Sequence, residues 1–243
     1  IWFLSSPFDI GNTTRNSFDF YEMEDYLKKD IHNSGLAKKI TECSETKNMN
    51  SLSNGFLMRR TPFTVYLYYF FELNKDKPFY FQKLVDEKKY EKLFSLIYNI
   101  SENEVELTNP NIICKIASVL YDFIILCCLY YFNKENNDND TTIILNKISE
   151  FFEYLLKSTN DQYTYSKYNI ENFKTIFQEV IDLPNYEEGR KEKIITDIGV
   201  IKIGYFLHSI KIIFFVLKFY KDFIDENNGK KGIYKNVINF ICN

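Results

Sequence analysis

Two histidines, five cysteines and one run of carboxylates are the residues of this 243-residue chain whose types could support catalysis or metal binding. His32 and His208 lie far apart, and neither stands at metal-ligand spacing or beside a nucleophile. His208 sits inside an apolar run and reads as a core histidine. The cysteines are Cys43, Cys114, Cys127, Cys128 and Cys242. They are odd in number, follow no CxxC or Cys/His pattern, and three lie within apolar stretches, so they read as buried reduced thiols. Asp19, Glu22, Glu24 and Asp25 gather where a helix should begin. Negative charge there complements the helix dipole, so a solvated face explains them better than an acid–base pair. The acidic "NKENNDND" (133–140) lacks the ligand periodicity of a calcium loop. No phosphate-cradling glycine loop, HExxH or GxSxG occurs. The expectation is a protein that is not an enzyme and uses no metal or cofactor.

A helical protein without chemistry acts through its surfaces. Arg59 and Arg60, ahead of the aromatic run "TPFTVYLYYFFEL", form the most conspicuous basic pair. They read either as an ordinary solvated loop or as partner contacts, because the planar guanidinium suits carboxylate and backbone acceptors. The net charge of −3 provides no basic field for nucleic acid, so none is expected as a partner. Eighteen per cent aromatic residues, with abundant Asn, Lys and Ile, point to an AT-rich genome.

Eight glycines and five prolines are too few for the frequent turns of a β-sandwich, and they suit long helices. The spacing of apolar residues predicts an irregular segment over 1–16 and a helix over 17–35. A short helix follows from Leu36 to Cys43, then a polar loop over 44–55. Thr61 and Pro62 suit a helix start, with Val65, Tyr68, Tyr69, Glu72 and Leu73 at helical spacing behind them. Further helices are expected over 79–100, 111–132, 143–158, 170–182, 195–226 and 232–241. The fold class is all-α, a compact bundle of about eight to ten helices. Its expected organisation is a main domain over 17–182 and a C-terminal hairpin over 194–243 docked on the same body. Lys115 and Asp122 interrupt 111–132, and three lysines interrupt 201–223, so both read as core helices rather than membrane spans. No leader is visible in "IWFLSSPF". An intracellular location is favoured, and a secreted protein whose leader has been removed is the alternative.

One pattern resembles a known family. Phe56, five residues, Pro62, then Tyr69-Phe70 and Lys75 are similar to the approach to the first cyclin-box helix of P/U-type cyclins. "LAKKITECSETKN" (36–48) resembles the short helix before it. "LFSLIYNI" (93–100), "NPNIICKIASVLYDFIIL" (109–126) and "LNKISEFFEYLL" (145–156) stand where the second, third and fifth helices would. The similarity covers residues 36–157. It implies a cyclin-box-like regulatory subunit that activates a cyclin-dependent kinase, with Lys115, Glu150 and Glu153 nearest the kinase and Arg59 and Arg60 flanking the contact. The chain departs from the family's pattern in having no Lys over 121–132, and Asn99-Ile100 where Asp-Arg is expected. Two other readings stand beside it. One is a secreted or surface protein of an AT-rich parasite that binds a host protein, which expects paired cysteines. The other is a subunit of a larger assembly, which expects excess surface aromatics.

Overall fold

The structure is a computed structural model that describes residues 11–21, 34–131, 140–157 and 205–220. In chain order the helices are α1 (Asn12–Phe18), α2 (Ser34–Asn48), α3 (Gly55–Met58), α4 (Arg60–Leu73) and α5 (Phe81–Asp86). They continue with α6 (Tyr90–Glu106), α7 (Ile112–Tyr131), α8 (Asp140–Lys157) and α9 (Phe206–Lys218). Among the described residues 80% are helical and there is no strand, so the fold is an all-α, multi-helix one. Contacts divide the chain into two compact units, Ile1–Leu126 and Cys127–Asn243. The break expected at 183–193 and the helices expected over 170–182 and 232–241 lie outside the described residues.

In the first unit a stretch expected to be irregular forms α1. Its Ser17 is buried, and Asn48 at the end of α2 explains why the two helices hold together. The Asn48 amide nitrogen reaches Thr13 O at 2.8 Å, Ser17 Oγ at 2.9 Å and Thr108 O at 3.1 Å, while Asn48 Oδ1 accepts from Asn16. Lys47 adds an ion pair to Asp19 at 2.8 Å. These tertiary partners carry α2 through Asn48, five residues past the expected end at Cys43, despite the polar sequence.

A second anchor lies at the start of α7. Asn111 Oδ1 accepts the Ile113 N–H at 2.9 Å, an N-terminal cap, and Asn111 also donates to Met49 O at 2.8 Å. Asn109 donates to Ser53 O and Oγ. The Asn-Pro-Asn step therefore fixes both the start of α7 and the loop before α3.

The apolar core of this unit is aromatic. Phe71, Phe81 and Phe123 are fully buried and form a chain of tilted rings 5.6 and 5.7 Å apart, with Tyr90 edge-on to Phe123 at 6.5 Å. Such pairs add about 0.5–1.5 kcal/mol each beyond their buried area.

By length and composition α7 could cross a membrane, yet well over half of its most apolar window is buried within the protein. In the second unit α8 and α9 pack together, burying Ile144, Ile148, Phe151 and Phe152 on one and Phe206, Leu207, Ile210, Phe214 and Phe215 on the other.

The segment 79–100, expected as one helix, is broken into α5 and α6. Lys88 takes a left-handed conformation with φ of 54°. The Lys89 N–H bonds to Leu84 O at 2.8 Å and the Lys88 N–H to Val85 O at 3.1 Å, the paired bonds that stop a helix and turn the chain. Glycine normally occupies this position. A side chain there costs about 1–2 kcal/mol, partly offset by glycine's greater freedom when unfolded. Lys88→Gly is therefore expected to raise unfolding free energy by roughly 0.5–1 kcal/mol, and Lys88→Val to lower it by a similar amount. Urea titration followed by circular dichroism checks this, and a destabilising glycine would contradict the assignment.

Candidate functional site

The sequence puts Arg60 and Thr64 four residues apart on α4, Ser101 and Glu104 three apart on α6, and one Asp in the middle of apolar α7. Helical spacing places each pair on one face. The fold brings all five together. Arg60 and Asp122 are both fully buried and joined by a two-pronged ion pair, Nη2 to Oδ2 and Nε to Oδ1 at 3.3 Å. Thr64 Oγ1 lies 2.6 Å from Asp122 Oδ1, and Ser101 Oγ lies 3.1 Å from Oδ2. Arg60 also donates to Ser101 Oγ at 2.8 Å and, through Nη1, to Glu104 Oε2 at 3.1 Å. Its guanidinium carbon stands 4.2 Å from the centre of the Phe63 ring. Arg59 meets the same Glu104 from outside, through its Nε to Oε1 and through Nη2 to Glu104 O at 3.1 Å. Two cations thus face two carboxylates.

Burial pushes the Asp122 carboxyl up from the ordinary aspartate range, while Arg60, Thr64 and Ser101 pull it back. A substrate has no route to a carboxylate and guanidinium with zero exposure. What the cluster does is structural: it pins α4 to α6 and α7 and fixes the rotation of α4 about its own axis.

That rotation decides which face of α4 meets solvent. Arg60, Thr64, Leu67 and Phe71 point inward. Val65, Tyr69 and Leu73, which the sequence shows at helical spacing, are exposed, together with Tyr66. The competing signal was the pair of arginines. A buried charge must be paired, and Asp122 offers the partner, so the helix turns its Arg60 side inward. Met58, at the end of α3, and Pro62 join the outward face. The result is an apolar stripe along one side of a helix whose opposite side is already in the core.

The residues expected to touch a partner are placed as follows. Arg59 is one-third exposed and engaged by Glu104. Arg60 is a core residue, covered by the side chains that surround it, so neither the solvated-loop expectation nor direct contact describes its position. Lys115 is 13% exposed and paired with Glu106. Glu153 is exposed on α8 and pairs with Lys157 at 3.0 Å, and Glu150 is half-buried one turn before it. Arg59 and Arg60 share Glu104. Lys115 has its own acceptor, and Glu150 and Glu153 belong to the second unit. Thr64, Ser101, Glu104 and Asp122 went unrecognised in the sequence, although one acid inside the most apolar helix signals a buried basic partner.

Of the expected core groups, His208 lies half-buried, edge-on to Tyr205 at 5.3 Å, and His32 falls outside the described residues. Among the described residues no group of three or more His, Cys, Asp or Glu could hold a metal ion. Cys43, Cys114, Cys127 and Cys128 are free thiols. Burial pushes Cys114 and Cys128 up to about 12 and Cys127 well above the usual thiol value. Cys43 is half-buried, its Sγ donating to Asn16 O at 3.1 Å.

Two outcomes follow from this geometry. Arg60→Met should cost about 3–5 kcal/mol by leaving the buried Asp122 carboxylate without its cation, Asp122→Leu less because Glu104 still pairs with Arg60, and the double variant less than the sum of the two. Chemical denaturation of the four proteins completes the cycle, and additive losses would contradict the pairing. Because the thiolate is the reactive form, iodoacetamide at pH 8 should modify Cys43 at least ~10-fold faster than Cys114, Cys127 and Cys128. Peptide mass spectrometry reads the order, and rates at Cys114 and Cys127 comparable with that at Cys43 would contradict their burial.

Comparison of the chain with protein-family models, with curated proteins and with solved structures finds no match in any of the three.

Proposed function

We propose that this chain is a non-catalytic helical subunit that works by binding another protein. The observation that supports this most is the outward face of α4. Helices that are apolar on every side are normally enclosed on every side. Here one side is core, and the other presents Met58, Val65, Tyr66, Tyr69 and Leu73 to solvent. Contiguous apolar surface of that size marks an interaction site, and two tyrosines at its centre suit one, since aromatic residues dominate interface energies.

Within this class, the resemblance of residues 36–157 to the cyclin box makes a cyclin-dependent kinase the first partner to test. It implies Lys115, Glu150 and Glu153 as contacts, flanked by Arg59 and Arg60, of which Arg60 is buried. The surface aromatics equally suit a subunit of a larger assembly. Free thiols at the four described cysteines favour this class over a secreted host-binding protein, which expects pairs.

The test is retention of candidate partners, beginning with a panel of cyclin-dependent kinases, by the immobilised 243-residue chain. A kinase partner should be retained by the wild type and weakened at least ~10-fold by Lys115→Glu or Glu150→Lys, the scale of a lost hydrogen-bonded charge at an interface. If no kinase is retained, the kinase form of the proposal fails. If, in addition, no association of the chain with any protein, its own second copy included, responds to Tyr66→Lys with Tyr69→Lys, the binding role fails as a whole.

A further inference from the structure

We infer that the outward face of α4 is a self-complementary interface that seats the same face of a second copy of this chain, the two helices antiparallel. The inference rests on the protein-binding reading and names its partner. Four observations carry it: spacing, charge, area and the covering of the opposite side.

The stripe consists of Met58, Pro62, Val65, Tyr66, Tyr69 and Leu73. Pro62, Val65, Tyr66, Tyr69 and Leu73 lie on α4, where at 100° per residue they fall within a sector of about 100° on one face, and Met58 ends α3 just before it. Their positions are symmetric about the midpoint between Val65 and Tyr66. An antiparallel copy centred there sets Pro62 against Tyr69 and Val65 against Tyr66, each pairing occurring twice, and brings Leu73 toward the end of the partner's α3, where Met58 lies. A two-fold interface requires this of a single surface, because residue i meets j and j meets i. A different protein imposes no such symmetry on the side it binds.

Charge agrees with the spacing. The only charged side chains from Met58 to Leu73 are Arg59, Arg60 and Glu72. The first two are engaged by Glu104 and Asp122, and Glu72 Oε1 accepts from the Tyr80 hydroxyl at 3.1 Å. Two copies brought together along this stripe oppose no like charges and enclose no unpaired one. The antiparallel order also sets the two helix dipoles in their favourable sense.

Area agrees as well. Met58 is 80% exposed, Val65 38%, Tyr66 63%, Tyr69 61% and Leu73 86%. With aromatic side chains offering 150–250 Å² each, the stripe exposes roughly 700 Å² per copy, close to the ~800 Å² per partner of a standard interface. Finally, the buried Arg60–Asp122 pair holds the other side of α4 in the core, so the stripe is presented on a rigid element at no cost in reorganisation.

Sedimentation equilibrium of the 243-residue chain from ~1 to ~200 µM, the range in which a modest interface is populated, should show monomer passing to dimer and no higher species. Tyr66→Lys with Tyr69→Lys should weaken association at least ~100-fold while leaving the helical circular dichroism unchanged, as both side chains are exposed. Disulfide trapping then fixes the orientation, with the chain carrying only its native cysteines as baseline. Positions 58 and 73 lie at opposite ends of the stripe, the one on α3 and the other at the end of α4, so neither Met58→Cys nor Leu73→Cys should link to its own kind. Mixing the two chains should give a linked dimer, and Tyr66→Cys alone should link near the two-fold axis.

A monomer at every concentration overturns the inference, as does linkage of Leu73→Cys to itself, which is the signature of a parallel pair. If the chain stays monomeric yet loses a different protein partner on Tyr66→Lys with Tyr69→Lys, the second copy is refuted while the protein-binding reading stands.

Discussion

The ion pair between Arg60 and Asp122 is the contact on which the first unit depends. Both groups have zero exposure, so neither can exchange its partner for water. Removing Arg60 leaves the buried Asp122 carboxylate with hydroxyl partners but no cation, and removing Asp122 leaves the buried guanidinium with only Glu104 to balance it. Thr64, Ser101 and Glu104 surround the pair with further polar groups, so three helices meet at one satisfied polar centre. Around it stand the rings of Phe71, Phe81 and Phe123, which supply apolar burial but tolerate many rotations of one helix on another. The polar centre does not tolerate them. A bidentate contact is met only over a narrow range of helix orientation.

The consequence is seen on the opposite side of α4. Its sequence offers aromatic and aliphatic residues at almost every position, so hydrophobicity alone gives little preference for one inward face. Arg60 and Thr64 break the tie by direction, because they must reach Asp122. The stripe from Met58 to Leu73 is what then remains outside. A feature that holds the core together therefore also produces the exposed surface on which the proposed binding role rests. Stability and surface are set by the same side chains.

This also explains which parts of the chain could be read from sequence. The all-α class and most helix positions were legible, because the long apolar periods of α6, α7 and α8 leave no competing assignment. Helix ends set by local backbone chemistry were less so. Nothing in "VDEKKY" announces that Lys88 will take the left-handed conformation usually left to glycine, so α5 and α6 were expected as one helix. α1 and the last turn of α2 depend on Asn48, whose bonds to Thr13, Ser17 and Thr108 span as many as 60 positions of sequence. The inward face of α4 was not legible for the same reason. Its determinant is a partner 62 residues away, invisible to any local window. Arg59 and Arg60 stood out as a pair, but only the fold separates them into one rim residue and one core residue. The expected contact residues Lys115, Glu150 and Glu153 each already have a place in the protein's own polar contacts or surface, and the sequence offered no means of telling which.

Hydrogen exchange of the Asp122→Leu variant tests most directly whether this one pair locks the helices. If it does, amides of Thr64–Phe71 on α4 and of Ile97–Val105 on α6 should lose protection together, although the substitution lies on α7. Their protection in the wild type should be of similar magnitude, since they would open as one cooperative element. Loss confined to the turns of α7 around residue 122, with α4 and α6 exchanging as in the wild type, would contradict the account.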